Sequence, residues 1–264
     1  MEGIVAAWAR VLVAMVACGA VAGCHGSGVS VRRPAPAATG RESGAPPLAA
    51  RRRGPSRRVV LGRSEGGRPI VAIRAGSGRG PRVLVVGAIH GNELAGIAVA
   101  HELERVRARG DIWVVPDLNP DGASRGTRQD GRGVDLNANW SSQWRGGGRP
   151  WDVYYAGPHP FSERETQIAH RLILRIRPHV TIWYHQHMNL VWAWGPSTAQ
   201  GRRYARAAGM RLYHHQWLSG TATNWQNHYL PGSSAITVEL PAGVLKPRQL
   251  RRHTRAVLAL AASP

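Results

Sequence analysis

From Val59 onward the chain alternates short aliphatic runs with amphipathic stretches, the pattern of an α/β domain. IVAIRAG (70–76) and RVLVVGAI (82–89) read as strands separated by a glycine-rich turn. In NELAGIAVAHELERV the apolar positions recur at helical spacing, which predicts a helix over 92–107 capped by Asn92. IWVVPD (112–117) follows as a third strand, and residues 118–160 form a long irregular region rich in Gly, Asn, Asp, Arg and Trp. A loop of that length inside a compact domain usually carries function. Helix returns over Ser162 to Ile176, where Ser162 and Glu165 match a capping box and Ile168, Leu172 and Ile176 share one face. VTIWYH (180–185), NLVWAW (189–194) and SAITVEL (234–240) complete the strands that the pattern predicts. Pro247 opens a last helix with Leu250, Val257, Leu258 and Ala261 turned inward. No internal repeat and no second domain are evident.

The first 57 residues break this pattern. Arg10 precedes the apolar run VLVAMVACGAVAG, which is too short for a permanent membrane span and reads as an export signal over 1–24. The run ends in Val21-Ala22-Gly23-Cys24, which resembles a bacterial lipobox whose cysteine becomes lipidated. Residues 25–57 hold Gly, Ser, Pro, Ala and Arg with almost no aliphatic bulk, and so predict a disordered tether. The remaining 58–264 make one domain. This layout places the protein outside the cytoplasm, anchored to the envelope membrane through Cys24 or otherwise secreted or periplasmic.

Cys18 and Cys24 are the only cysteines of the chain. The folded domain therefore holds neither a disulfide nor a thiolate metal site, and any metal must be bound by His and carboxylate. The formal net charge is +20, and eight arginines against Glu42 between residues 25 and 58 carry seven of these charges. The rest sits on the domain, almost all of it as arginine. Without a recognition helix or an RNA-binding motif, this excess fits attraction to an anionic membrane or envelope polymer better than nucleic acid.

The candidate chemistry gathers at VLVVGAIHGNE (83–93), where His90 and Glu93 stand on the turn between a buried strand and a helix. Three residues apart at the carboxyl end of a strand, an imidazole and a carboxylate can converge on one metal ion. A catalytic zinc commonly takes three protein ligands and keeps a fourth position open. The third ligand is best supplied by His185, at the end of its own strand, with His187 able to replace it or line the pocket. Along SAITVELP, Ile236, Val238 and Leu240 point one way while Thr237 and Glu239 point the other. A carboxylate in a mostly buried strand is costly unless used, and Glu239 could serve as general base and then acid. Arg128 could stabilise an oxyanion, although composition alone does not single it out among so many arginines. Asp135 could take the second imidazole N–H of a ligand histidine.

HGNE (90–93), NPDG (119–122), GTR (126–128), GVDLNANW (133–140), YYAGPHPFSERET (154–166), the His185 strand and TVELP (237–241) stand in one unbroken order. Together with LGRSEGGRPI (61–70) they resemble the zinc metallocarboxypeptidase family over roughly residues 58–262, within it the bacterial branch of murein tripeptide amidase. The resemblance implies one zinc ion on His90, Glu93 and His185, with Glu239 as general base and acid. It further implies Arg128 at the oxyanion, Asp135 supporting the first histidine, and Asn137 contacting substrate. The implied fold is a single α/β domain with a mixed parallel and antiparallel eight-stranded sheet flanked by helices on both faces.

Two departures bear on specificity. The family's N-R-N segment is Asn137-Ala138-Asn139 here, so the arginine that grips a terminal carboxylate is missing unless Arg145 or Arg149 replaces it. The family's mobile pocket tyrosine has Tyr213 as its nearest counterpart. The expected activity is zinc-dependent hydrolysis of a peptide or amide bond, with peptidoglycan stem peptides as substrate. A broad-specificity extracellular metallocarboxypeptidase is the alternative, and a non-catalytic envelope-binding lipoprotein on the same scaffold is the alternative of another class.

Overall fold

The computed structural model describes residues 57–262 apart from 77, 79 and 107–109. The segments read above as an export signal, a lipobox cysteine and a tether, up to Ser56, lie outside the described residues. Arg57, assigned above to the tether, opens the first strand.

Eight strands form one sheet: β1 (Arg57–Arg63), β2 (Pro69–Arg74), β3 (Arg82–Val86), β4 (Asp111–Val115), β5 (Val180–Gln186), β6 (Leu190–Ala193), β7 (Arg211–His214) and β8 (Ser234–Leu240). Their order is β1-β2-β4-β3-β5-β8-β6-β7. The four central strands β4, β3, β5 and β8 run parallel, while β2 joins β4 and β6 joins β8 antiparallel. Parallel strands covered on both faces are buried along almost their whole length, as β3 and β5 are.

Six helices cover the sheet: α1 (Ala95–Arg105), α2 (Pro120–Arg125), α3 (Arg164–Ile176), α4 (Thr198–Ala208), α5 (Ala222–Tyr229) and α6 (Pro247–Ala261). Val83, Val85, Ile182, Ile236 and Val238 pack on one face against α1, α4 and α6. Leu84, Val86, Trp183 and Ala235 pack on the other against α3, α5 and the long loop, through Ile168, Leu172, Trp225 and Trp140. The expected mixed eight-stranded architecture with helices on both faces is therefore present. Among the described residues no helix is long and apolar enough to cross a membrane.

Several local expectations fail for identifiable reasons. Asn92 does not cap α1, which starts at Ala95; the Ala95 N–H is instead satisfied by the side-chain carbonyl of Gln186 at 2.9 Å. The turn before it is held by the Glu93 N–H on the His90 carbonyl, which keeps both side chains on one side. The Ser162–Glu165 capping box does not form, and α3 starts at Arg164. Ser162 donates to Glu163, while Glu165 accepts the backbone N–H of Glu65 at 3.0 Å, a tertiary contact that displaces the local one. On α6, Val257 and Ala261 are buried as expected, but Leu250 and Leu258 are only partly covered. The irregular stretch after residue 118 also contains α2, capped by Asn119 with Pro120 in its first turn.

Candidate metal centre and active site

The site forms where the central parallel strands end. Asn119 accepts the Gly122 N–H and donates through its amide to the carbonyls of Ile89 and Arg128. It thereby ties the residue before His90 to the backbone of Arg128. Gly91 lies against this turn so closely that a Cβ there would overlap the backbone of Gly122 and Ala123. Glycine is thus required by close approach of two backbones.

His90 is buried, and its Nε2 lies 3.0 Å from Asp135 Oδ1. An ionised carboxylate accepts only, so Nε2 carries the proton and Nδ1 presents a lone pair inward. His90 Nδ1 stands 3.0 Å from Glu93 Oε2, and His185 Nδ1 stands 3.1 Å from both. These three atoms form a potential metal-ligand group, all within 4.8 Å of one another. Burial and the Arg128 cation would lower the His90 pKa, but Glu93 and Asp135 outweigh them and raise it. Burial would raise Glu93, yet His90 and His185 hold its carboxyl far below the usual range. Asp135 is likewise held low, its burial overcome by Arg128 and His90.

This donor set fits zinc. Two inward imidazole nitrogens meet with only a carboxylate between them, and His185 Nε2 is buried with no partner among the described residues. A cation held by the two Nδ1 atoms and Glu93 would use all three converging lone pairs at once, with the His90 Nε2–H left on Asp135. The guanidinium of Arg128 already leans on the cluster, Nη1 lying 3.2 Å from Glu93 Oε1 and 3.1 Å from His90 Nδ1. The cluster's field selects positive charge.

Glu239 pairs with His185 across the parallel β5–β8 register, which places its side chain beside the ligand. Burial raises its pKa, with Glu93 adding to that and His185 opposing it. It accepts the Met188 N–H at 3.4 Å. Gln186 binds these loops together: its N–H donates to Glu93, and its amide nitrogen donates to the carbonyls of Pro241 and Gly243 beyond β8. No pattern in the sequence marks Gln186, because its role arises only from tertiary contact.

The family model for zinc carboxypeptidases matches residues 48–257. The chain belongs to the zinc carboxypeptidase family. Among its relatives, murein peptide amidase A of Escherichia coli K12 is 31% identical over 137 residues, which cover 47% of this chain and 57% of that protein. Carboxypeptidase B of Astacus astacus is 27% identical over 169 residues, covering 51% of this chain and 56% of that one. The chain thus spans little more than half the length of these curated relatives. The crystal structure of a murein-tripeptide amidase from Escherichia coli O157 superimposes with a TM-score of 0.63 at 25% identity, over 81% of this chain and 95% of that one.

Within this zinc carboxypeptidase fold, the predicted residues divide into two groups. His90, Glu93, His185, Asp135, Arg128 and Glu239 come together, and His187 is exposed and outside the ligand group. Asn137 is half-buried; its side-chain carbonyl accepts the Ala222 N–H at 3.2 Å, and its NH2 has no hydrogen-bond partner among the described residues. Tyr213 does not join the site, because it sits on the edge strand β7, two places from β8, against Trp192 and His215. Arg145 and Arg149 are exposed and make no ion pair among the described residues.

Proposed function

We propose that this protein is a zinc-dependent peptidase or amidase that cuts peptidoglycan stem peptides at the cell envelope. The observation that carries the catalytic part is the β5–β8 register, which sets Glu239 beside the three-ligand cluster with its pKa raised by burial. A zinc ion held by His90, Glu93 and His185 would polarise the scissile carbonyl and acidify a water. Glu239 takes a proton from the attacking water and delivers it to the leaving amine nitrogen, so that it ends as it began. Arg128 offers its guanidinium to the oxyanion of the tetrahedral species, held through Nε and Nη2 by Asp135. Asn137 presents its unpaired NH2 to the substrate backbone.

The substrate class is supported by the likeness to murein peptide amidase A and by an export signal ahead of the domain. Ala138 supports an amidase cut, since no arginine at that position grips a terminal carboxylate. Lipidation of Cys24 would hold the enzyme at the membrane, and intact mass measured on the membrane fraction tests this. The likeness to carboxypeptidase B favours a second reading, a broad extracellular carboxypeptidase. A non-catalytic envelope-binding role draws support from Ala138 but leaves the half-buried Glu239 beside the cluster without a use. Incubating the zinc-loaded protein with a murein tripeptide and with free-ended and amidated peptides, with products read by mass, separates the three. Release of diaminopimelate from the tripeptide is expected. Cleavage of ordinary free-ended peptides alone would favour the carboxypeptidase, and no cleavage of any substrate would favour the binding protein.

A further inference from the structure

Arg128 is held along its edges, and the partners of its Nη1, Glu93 Oε1 and His90 Nδ1, belong to two groups that a bound zinc ion would take as ligands. Nε and Nη2 both donate to the single oxygen Asp135 Oδ2, at 3.1 and 2.9 Å. Asp135 Oδ1 is occupied by His90 Nε2 and the Asn137 N–H. With His90 and Glu93 engaged on a metal, the fork closing on one Asp135 oxygen would be a hinge, whereas one spread over two oxygens would set the plane as well. The face of the guanidinium is met by Tyr154, whose ring centre lies 5.5 Å from the Arg128 Cζ.

Tyr154 is 57% exposed, so core packing does not explain its placement. Its backbone is instead fixed from the segment that carries the site. The Asp135 N–H donates to the Tyr155 carbonyl at 2.8 Å, and the Tyr155 N–H to the Asp152 carbonyl at 3.1 Å. The side-chain amide of Gln129, next to Arg128, donates to the carbonyls of Trp151 and Asp152. The Trp151 N–H donates to the Gly133 carbonyl. The loop is thus clamped on both sides of Arg128 and Asp135, and the tyrosine is delivered onto the arginine.

We propose that Tyr154 is a positioning residue, whose ring fixes the tilt of the Arg128 guanidinium for the developing oxyanion. The inference rests on the hydrolytic reading of the site. It requires the ring and not the hydroxyl, because cation–π attraction acts through the ring face.

The test compares wild type, Tyr154→Phe and Tyr154→Ala as zinc-loaded full-length protein, in steady-state kinetics and in the NMR signal of the Arg128 Nε–H. Tyr154→Ala should lower kcat roughly three- to thirtyfold, with KM within about twofold and an unchanged melting midpoint. Tyr154→Phe should stay within about twofold of wild type. The Arg128 Nε–H signal should carry a ring-current shift in wild type and Tyr154→Phe that is lost in Tyr154→Ala. An unchanged kcat in Tyr154→Ala, or an equal loss in Tyr154→Phe, overturns the proposal. If wild type turns nothing over, the hydrolytic reading fails on its own, and an Arg128 signal indifferent to Tyr154→Ala refutes the contact independently.

Discussion

Asp130 offers a test of how the loop carrying Arg128 and Asp135 is held. It is fully buried, and its Oδ1 accepts the N–H groups of Arg132 and Val134, each at 2.9 Å. Its Oδ2 has no hydrogen-bond partner among the described residues, nor has Glu165 Oε2, and Glu163 Oε2 meets only the Arg132 Nε at 3.7 Å. Burial first, and then the charges of Glu163 and Glu165, push the Asp130 pKa up to about 8, and Glu165 rises to about 7. A carboxyl raised in the folded state keeps a proton that the unfolded chain releases, so stability falls as pH climbs from about 4 toward 8. Each pKa unit is worth about 1.4 kcal/mol, which caps the loss at roughly 6 kcal/mol. Unsatisfied buried groups cost about 1–3 kcal/mol in practice, and this is the better guide. Asp130→Asn keeps the acceptor used by Arg132 and Val134 and replaces the orphan oxygen with a neutral donor. Its stability advantage over wild type should therefore grow by about 1–3 kcal/mol between pH 5 and pH 8. Urea denaturation at both pH values, with zinc held constant and unchanged m, reads this directly. An advantage that is equal at both pH values, or a loss at pH 8, would refute the reasoning.

Other outcomes follow from the same contacts. Arg128→Ala should lower kcat about 10²–10³-fold with zinc content retained, as assayed by turnover and metal analysis. Asp135→Asn places an amide against His90 Nε2 and should weaken zinc binding or activity about 10–100-fold, measured by competition with a chelator. Tyr204→Phe strands the Tyr184 hydroxyl and His253 Nδ1, which now bond the Tyr204 hydroxyl at 2.8 Å each, and should cost about 2–4 kcal/mol in denaturation.

The parts of the site that were legible in the sequence lie on buried parallel strands. β3, β5 and β8 are apolar runs, and a polar residue where such a run ends stands out, as His90, His185 and Glu239 do. The edge strands β1 and β7 were not legible, because neither buries a continuous apolar face. α4 turns only Gly201, Tyr204, Ala205 and Ala208 inward, and α5 buries Thr223, Asn224 and Gln226, so neither carries a strong apolar stripe. The misplaced caps share one cause: Glu165 and the first N–H of α1 bond across the fold, and Ser162, besides its bond to Glu163, accepts the Asn139 amide from the long loop. Gln186 and Tyr154 act through residues distant in sequence, and pattern along the chain does not reveal them.

In the proposed mechanism Glu239 moves the proton at a zinc site built by His90, Glu93 and His185. The direct test is Glu239→Gln, measured for zinc content and for peptide turnover beside wild type. One zinc per chain is expected in both proteins, with turnover reduced at least about 10²-fold in the variant. Undiminished turnover with zinc retained would contradict it.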